Sequence, residues 1–314
     1  MVGGDFAVDI DEDNDGFEDY EIRDVIRLNP DGSRDTSFLP AISATVSCGS
    51  VFSLALQSHN KIVVGGTIGS CFGNSDNANI YRLNTDGTID TSFNANVDTS
   101  LIFSERVNKI VVQSDGKFII GGNFTKVNGN DSDFLARINN DGSFDASFDV
   151  SDALNARVYD LALQDDGKVI AVGDFNQNSN YGSLRLVRIN ADGTKDTSFA
   201  YTDELNGTIR TVAVQDDGKI VVGGNFNLYN NNGVHRLTRL NSNGSLDQTF
   251  EDADVPFISF EIFNNTILSD GSHIAVGEFL TFNRYSRSRL VKLTPNGQID
   301  FSFNATDGPF KGSR

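Results

Sequence analysis

One twelve-residue phrase recurs six times along this chain. It reads "RLNPDGSRDTSF" to Phe38, "RLNTDGTIDTSF" to Phe93, "RINNDGSFDASF" to Phe148, "RINADGTKDTSF" to Phe199, "RLNSNGSLDQTF" to Phe250 and "KLTPNGQIDFSF" to Phe303. A second phrase precedes five of them: "LQSHNKIVVGG", "VQSDGKFIIGG", "LQDDGKVIAVG", "VQDDGKIVVGG" and "LSDGSHIAVG". The opening "MVGGDF" is the tail of a sixth copy. Self-similarity on this scale restricts the chain to a solenoid, a propeller or a linear array, because one repeat is too small to bury its own apolar face.

Each unit reads as four short strands. A run such as "VYDLALQ" is followed by an Asp-Gly turn (Asp166-Gly167), a second strand "KVIAVG", a longer loop, a third strand "LRLVRIN", a second Asp-Gly or Asn-Gly turn, and "KDTSF". Both turn residues are expected at positive φ, in the type I′ geometry that suits strand twist. Helical periodicity is absent. The inner strands, "KIVVQ" at 109–113 and "FIIGG" at 118–122, are apolar at consecutive rather than alternate positions, the mark of a strand covered on both faces. Sheets covered on both faces by their neighbours around an axis make a propeller. The expected fold is therefore all-β, a six-bladed β-propeller of four-stranded antiparallel blades in a single domain, 1–314. The first blade takes 1–38 with 304–314 as its closing segment, and the others take 46–93, 105–148, 155–199, 208–250 and 258–303.

The order "LALQDDGKVIAVG…RLVRINADGTKDTSF" resembles the bacterial propeller repeat called the delta-sixty repeat, and more distantly the NHL-type layout. The resemblance covers nearly the whole chain. It implies a propeller, and an extracellular or surface setting. Asp174 and Glu278 stand where the second glycine of "GG" is expected.

Residues present in every copy are expected to be scaffold. Arg27, Arg82, Arg137, Arg188, Arg239 and Lys292 share one place, and Asp35, Asp90, Asp145, Asp196, Asp247 and Asp300 another. Cross-strand ion pairs, with each aspartate also capping an N–H two residues on, account for them. The six terminal phenylalanines read as wedges between blades. The glycine pairs follow strands and open no helix, so they are not phosphate loops. Cys48 and Cys71, the only cysteines, are either one disulfide or two buried thiols.

The first copy departs from its sisters. From Gly4 to Arg27 its connection runs 23 positions, against 15 from Gly122 to Arg137. The extra length holds Asp11, Asp13, Asp15, Gly16, Phe17 and Asp19. Alternate carboxylates around a glycine turn, with the Phe17 carbonyl, can converge on Ca2+, which takes six to eight oxygens. The pattern resembles the calcium loops of FG-GAP propellers and the start of an EF-hand. It departs from the latter at Ile22, where a bidentate Glu is required. The metal set expected is thus Asp11, Asp13, Asp15, Phe17 and Asp19, in a structural role; the alternative is a solvated acidic tip.

A net charge of −18 argues against nucleic acid as partner. No apolar run reaches the length of a membrane span, and Met1-Val2-Gly3-Gly4-Asp5 lacks a signal's basic and apolar regions. His59, His235 and His273 fall in three repeats and are expected to be exposed substitutions, the first and last at hairpin turns. Arg106, Arg157 and Glu261 are placed toward the axis. With no nucleophile–base pair in the sequence, the expectation is a non-catalytic interaction propeller without enzymatic activity. Its expected setting is a bacteriophage virion component of tail, baseplate or surface, its partners other structural proteins. The alternative is an adhesion or glycan-binding segment of a larger bacterial surface protein, suggested by the amide- and aromatic-rich loops "NQNSNYGSL" and "NLYNNNGVH". A glycan hydrolase or lyase is the third reading. The missing first strand of blade one is supplied by 304–314, by another chain, or by a longer array.

Overall fold

The computed structural model describes residues 1–10, 20–39, 50–67, 79–97, 106–151, 153–175, 185–199, 205–229, 232–233, 236–250, 261–282 and 285–303, with backbone alone at 4–10, 20–24, 228–229 and 232–233. Every regular element among them is a strand, and none of their segments is a helix long and apolar enough to cross a membrane. They fall into two compact units, Met1–Val158 and Tyr159–Arg314, each carrying three repeats.

In the first unit, β1 (Val2–Ile10) pairs antiparallel with β2 (Tyr20–Ile26). The second repeat is a three-stranded antiparallel sheet of β3 (Val51–Leu56), β4 (Ile62–Gly66) and β5 (Ile80–Leu83). The third joins β6 (Arg106–Val112), β7 (Phe118–Asn123) and β10 (Leu135–Ile138), with a small hairpin of β8 (Lys126–Val127) and β9 (Asn130–Asp131) between the last two. The second unit repeats the plan. Its fourth repeat, beginning at the unit boundary, is β11 (Val158–Leu163), β12 (Val169–Gly173) and β13 (Leu186–Ile189). The fifth is β14 (Thr208–Val214), β15 (Ile220–Asn225) and β18 (Leu237–Leu240), with the hairpin β16 (Leu228–Tyr229) and β17 (Asn232–Gly233). The sixth is β19 (Ile262–Ile267), β20 (His273–Gly277) and β23 (Leu290–Leu293), with β21 (Thr281–Phe282) and β22 (Tyr285–Ser286).

Consecutive apolar residues on a middle strand face opposite neighbours. In β4, Ile62 and Val64 pack with Val25 and Phe38 of the first repeat. Val63, between them, packs with Val107, Ile110 and Phe118 of the third. In β15, Ile220 and Val222 meet Ile170 and Val172 of the fourth repeat, while Val221 meets Ile262 and Ala275 of the sixth. Each such side chain contributes about 1.5–3 kcal/mol by leaving water.

Three details differ from expectation. First, the fourth segment of each repeat is one bridge long, such as Leu83↔Ile89 or Leu240↔Leu246, and not a strand. The aspartate that follows curls the chain: Asp90 Oδ1 accepts from Ser92 N, and Phe93 N donates to the Asp90 carbonyl. Second, the Asp-Gly turns are not type I′. Gly116, Gly167 and Gly218 are at φ +80° to +88°, whereas their aspartates stay at negative φ. Gly116 N donates to Gln113 O and Gln113 N to Lys117 O, a type I turn closed by a glycine bulge. Third, the residue replaced in repeats four and six is the first glycine of the pair. Gly173 and Gly277 hold the second place, donating to Arg185 O and Arg289 O as Gly122 does to Phe134 O. Val172 and Val276 replace the first, and Asp174 and Glu278 fall one position beyond, level with Asn123 and Asn225. The second glycine is obligatory, since a Cβ at Gly224 would lie 2.1 Å from Thr208 O and at Gly122 2.0 Å from Arg106 O.

Candidate functional site

The recurring charged residues staple one repeat to the next. Arg27, Arg82, Arg137, Arg188 and Arg239 place Nε 2.7–2.8 Å from the aspartate of their own hairpin. Their guanidinium groups lie 4.4–4.9 Å over the terminal phenylalanine ring of that repeat. Arg27, Arg82, Arg188 and Arg239 also donate from Nη1 to a turn carbonyl of the following repeat, at Thr85, Asn140, Ser242 and Pro295, over 2.5–2.8 Å. Lys61, Lys117, Lys168 and Lys219 add a second cation to the aspartates at 2.6–3.1 Å. Burial pushes the carboxyls of Asp90 and Asp145 up, but hydrogen bonds from lysine, from the serine two residues on and from arginine outweigh it and hold both well below the usual carboxylate range. This network is scaffold, as the repetition implies.

In the sixth repeat Ser272 takes the place of that lysine, and His273 stands level with the apolar residues Ile62, Phe118, Val169 and Ile220 of the sister repeats. Contrary to expectation it is fully buried, edge-on to Phe250 at 6.0 Å, with Nε2 3.2 Å from Gln215 Nε2. Burial pushes its pKa down. His59 is exposed at a turn with φ +80°, as expected, and His235 lies outside the described residues.

The opposite end of the sheets is built differently. The first strand carries a bulge at one place in repeats two, three, five and six, where the register skips Phe52, Asn108, Arg210 and Phe263. A bulge re-aims the extra side chain. Phe52 and Phe263 are thereby left about half exposed. The next residue turns inward as a second staple: Ser53 Oγ accepts from Ile110 N at 3.0 Å, Asp160 Oδ2 from Val212 N at 2.9 Å, and Thr211 Oγ1 from Asn265 N at 3.2 Å.

In the second unit the bulge end gathers charge. Tyr159 OH donates to Asp174 Oδ2 at 2.5 Å. The Arg210 guanidinium lies 4.6 Å over the Tyr159 ring, and its Nε donates to Glu261 Oε1 at 2.6 Å. Arg185 Nη1 is 4.0 Å from Asp174. Arg236 donates to the Asn225 amide oxygen. Desolvation lowers the Arg210 pKa, but Glu261 more than restores it; Arg236 is pushed below its ordinary value by burial, Glu261 opposing in part. Among the described residues Arg236 makes no ion pair within 4 Å. The cluster therefore offers the Arg210 and Arg236 guanidinium groups to an anion, and Asp174 and Glu261 to hydroxyl donors.

Of the axial residues expected from the sequence, Glu261 joins this cluster. Arg106 lies 5.3 Å over Phe52 in the first unit, and Arg157 is exposed. Tyr159, Asp174, Arg210 and Arg236 were not anticipated. The available signal was a polar or aromatic residue interrupting an apolar first strand, as in "TIRTVAV". Asp11, Asp13, Asp15, Phe17 and Asp19 lie outside the described residues, as do Cys48, Cys71 and 304–314. Among the described residues no three His, Cys, Asp or Glu are placed to hold a metal.

A family model described as a domain of unknown function (DUF5122) β-propeller matches residues 23–38, 57–93, 113–148, 164–199, 215–250 and 268–303. The chain belongs to the DUF5122 β-propeller family. The DUF5122 segments contain the basic residue, aspartate and phenylalanine of the staple in every repeat, the basic residue being arginine in five and Lys292 in the sixth. They omit the first strands, so Phe52, Asn108, Tyr159, Arg210, Glu261 and Phe263 all fall outside them. The delta-sixty and NHL likenesses receive no separate support.

No curated protein matches this DUF5122 chain by sequence. Solved structures do. The extracellular domain of a hybrid two-component system protein from B. thetaiotaomicron is 15% identical, with TM-score 0.50 over 85% of this chain; the DUF5122 chain spans only 28% of that one. A gluconolactonase from Xanthomonas campestris is 15% identical, TM-score 0.45, over 80% of this chain and 74% of its own. A streptogramin B lyase is 12% identical, TM-score 0.47, over 82% and 70%. At these identities the likeness is one of fold. It nevertheless corrects the expectation that the chain is not an enzyme. That expectation leaned on the absence of a catalytic constellation in the sequence, whereas chains titled a gluconolactonase and a streptogramin B lyase are among the structures this chain matches.

Proposed function

We propose that this DUF5122 propeller is a rigid recognition module that works outside the cytoplasm and engages its partner through the bulge end of its blades. The observation that supports this is a contrast inside one chain. Six repeats keep a basic residue paired with an aspartate at one end, arginine in five of them, whereas the bulge place reads Phe52, Asn108, Tyr159, Arg210 and Phe263. A scaffold role calls for the same residue each time; a role in recognition calls for different ones. Half-exposed aromatics and a guanidinium are the side chains that carry binding energy at interfaces.

The setting that best suits such a module is a particle, as a bacteriophage tail, baseplate or surface component, in contact with other structural proteins. The second reading is a glycan-binding or adhesion segment of a larger surface protein; the charged cluster around Arg210 and Tyr159 favours it. Calcium held by Asp11, Asp13, Asp15, the Phe17 carbonyl and Asp19 would order the loop of the first repeat. The test is a photo-crosslinking residue placed at Phe52 or Phe263 in the native particle or surface fraction, with Leu28 as control. The proposal expects adducts from the bulge positions only. Equal adducts from Leu28 contradict it.

A further inference from the structure

Three arginines and two carboxylates meet at the bulge end of the second unit in a protein whose net charge is −18. The staple arginines are spent on aspartates of their own hairpins. Arg236 is not: it is half-buried, it flanks β15 across Gly224 from the bulge at Arg210, and its described polar contact is a neutral amide, Asn225. A guanidinium desolvated without a carboxylate at hydrogen-bond distance is poorly compensated, and an incoming anion compensates it.

We propose that Arg210 and Arg236 bind the carboxylate of an acidic sugar, a uronate unit of a saccharide, with Tyr159, Asp174 and Asn225 positioning its hydroxyls. The assignment rests on the recognition reading above and names the ligand class for one part of that surface. Arg210 is held from behind, Nε on Glu261 and its plane on the Tyr159 ring, so its outward N–H groups keep a fixed aim. Asp174 and Glu261 flank the pair. Two fixed carboxylates repel a polyanion such as nucleic acid or polyphosphate. They accept hydrogen bonds from neutral hydroxyls, which surround a uronate carboxylate and are lacking around a glutamate side chain. Single negative charge with adjacent donors is thus the complementary pattern, and it favours a saccharide over an acidic peptide.

The test uses calorimetry on the full chain with a trisaccharide bearing one terminal glucuronate. Its methyl ester, its neutral glucose counterpart and a tripeptide with one glutamate are the comparison ligands. The acid is expected to bind at least about tenfold more tightly than the others, and more weakly as salt rises. Arg210→Met and Arg236→Met should each lose about tenfold or more, Arg236→Lys should recover part of the loss, and Phe301→Ser, in the same repeat as Glu261 but outside the cluster, should bind as the parent does. Unfolding midpoints of all variants establish that they are folded. No binding of the acid by the parent chain, equal binding of the ester, tighter binding of the peptide, or full affinity in both methionine variants overturns the proposal. Crosslinks at Phe52 and Phe263 report on the wider recognition surface independently, so a failed uronate site and a failed recognition surface give different results.

Discussion

Single residues divide into two kinds here. Asp90 has a side chain 7% exposed and accepts from Arg82, Lys61 and Ser92. Asp90→Asn keeps the shape and removes the charge, leaving two partly buried cations facing an amide. A loss of about 2–4 kcal/mol in denaturant unfolding is expected. His273 behaves oppositely, being buried as the neutral ring among Gln215, Phe250 and the Pro295 carbonyl, with Arg239 nearby. Its folded pKa lies below the ordinary 6.5. Below that value the unfolded chain binds a proton that the folded chain refuses, so stability falls as pH falls. The aspartates act further down. Their folded values are depressed, so their contribution is present above the ordinary carboxylate range and lost as pH drops through it. The unfolding midpoint should therefore fall between pH 7 and pH 5, and His273→Gln should flatten that slope. An unchanged slope would place the acid sensitivity elsewhere.

The staple was legible in the sequence because it is written six times. The bulge end was not, because its chemistry lies in differences between repeats. Arg210 looks like an interruption of an apolar strand until the register skip shows where it is aimed, and Tyr159 until its contacts with Asp174 and Arg210 do. His273 was misread for a related reason. Read as part of the polar turn, it in fact holds the first place of the middle strand, where its sisters carry buried Ile62, Phe118, Val169 and Ile220, and it packs there against Phe250.

At the scale of elements, the turns and the glycines carry the account. The Asp-Gly pairs are type I turns with one left-handed glycine, so the aspartate contributes its carboxylate to the Lys117 N–H and not an unusual φ. The second glycine of each middle strand lets the first strand bulge toward it. Gly224→Ala puts a methyl 2.1 Å from the Thr208 carbonyl. A loss of about 2–4 kcal/mol is expected, the size of a backbone clash that no side-chain rotation relieves. A neutral result would mean that the bulge at Arg210 forms without the glycine. The acidic loop of the first repeat is tested at this scale as well. Chelation should lower the melting temperature or speed cleavage within residues 9–22; no change in either removes calcium from that loop.

For the whole molecule, a DUF5122 repeat has to do two separable things. It must bury both faces of its sheet against its neighbours, which β4 and β15 do residue by residue. It must also staple the seam, which the arginines do at one end and Ser53, Asp160 and Thr211 do nearer the bulge. Nothing in that scheme needs Phe52, Arg210 or Phe263, whose exposed or half-exposed side chains contribute little to stability. The triple variant Phe52→Ser, Arg210→Ser, Phe263→Ser therefore separates the account from its rivals in one measurement, the unfolding midpoint set beside that of Asp90→Asn. The expected midpoint is close to the parent's, together with loss of partner crosslinks from neighbouring bulge-end positions. A midpoint that falls as far as that of Asp90→Asn would contradict it, because the bulge end would then be scaffold too.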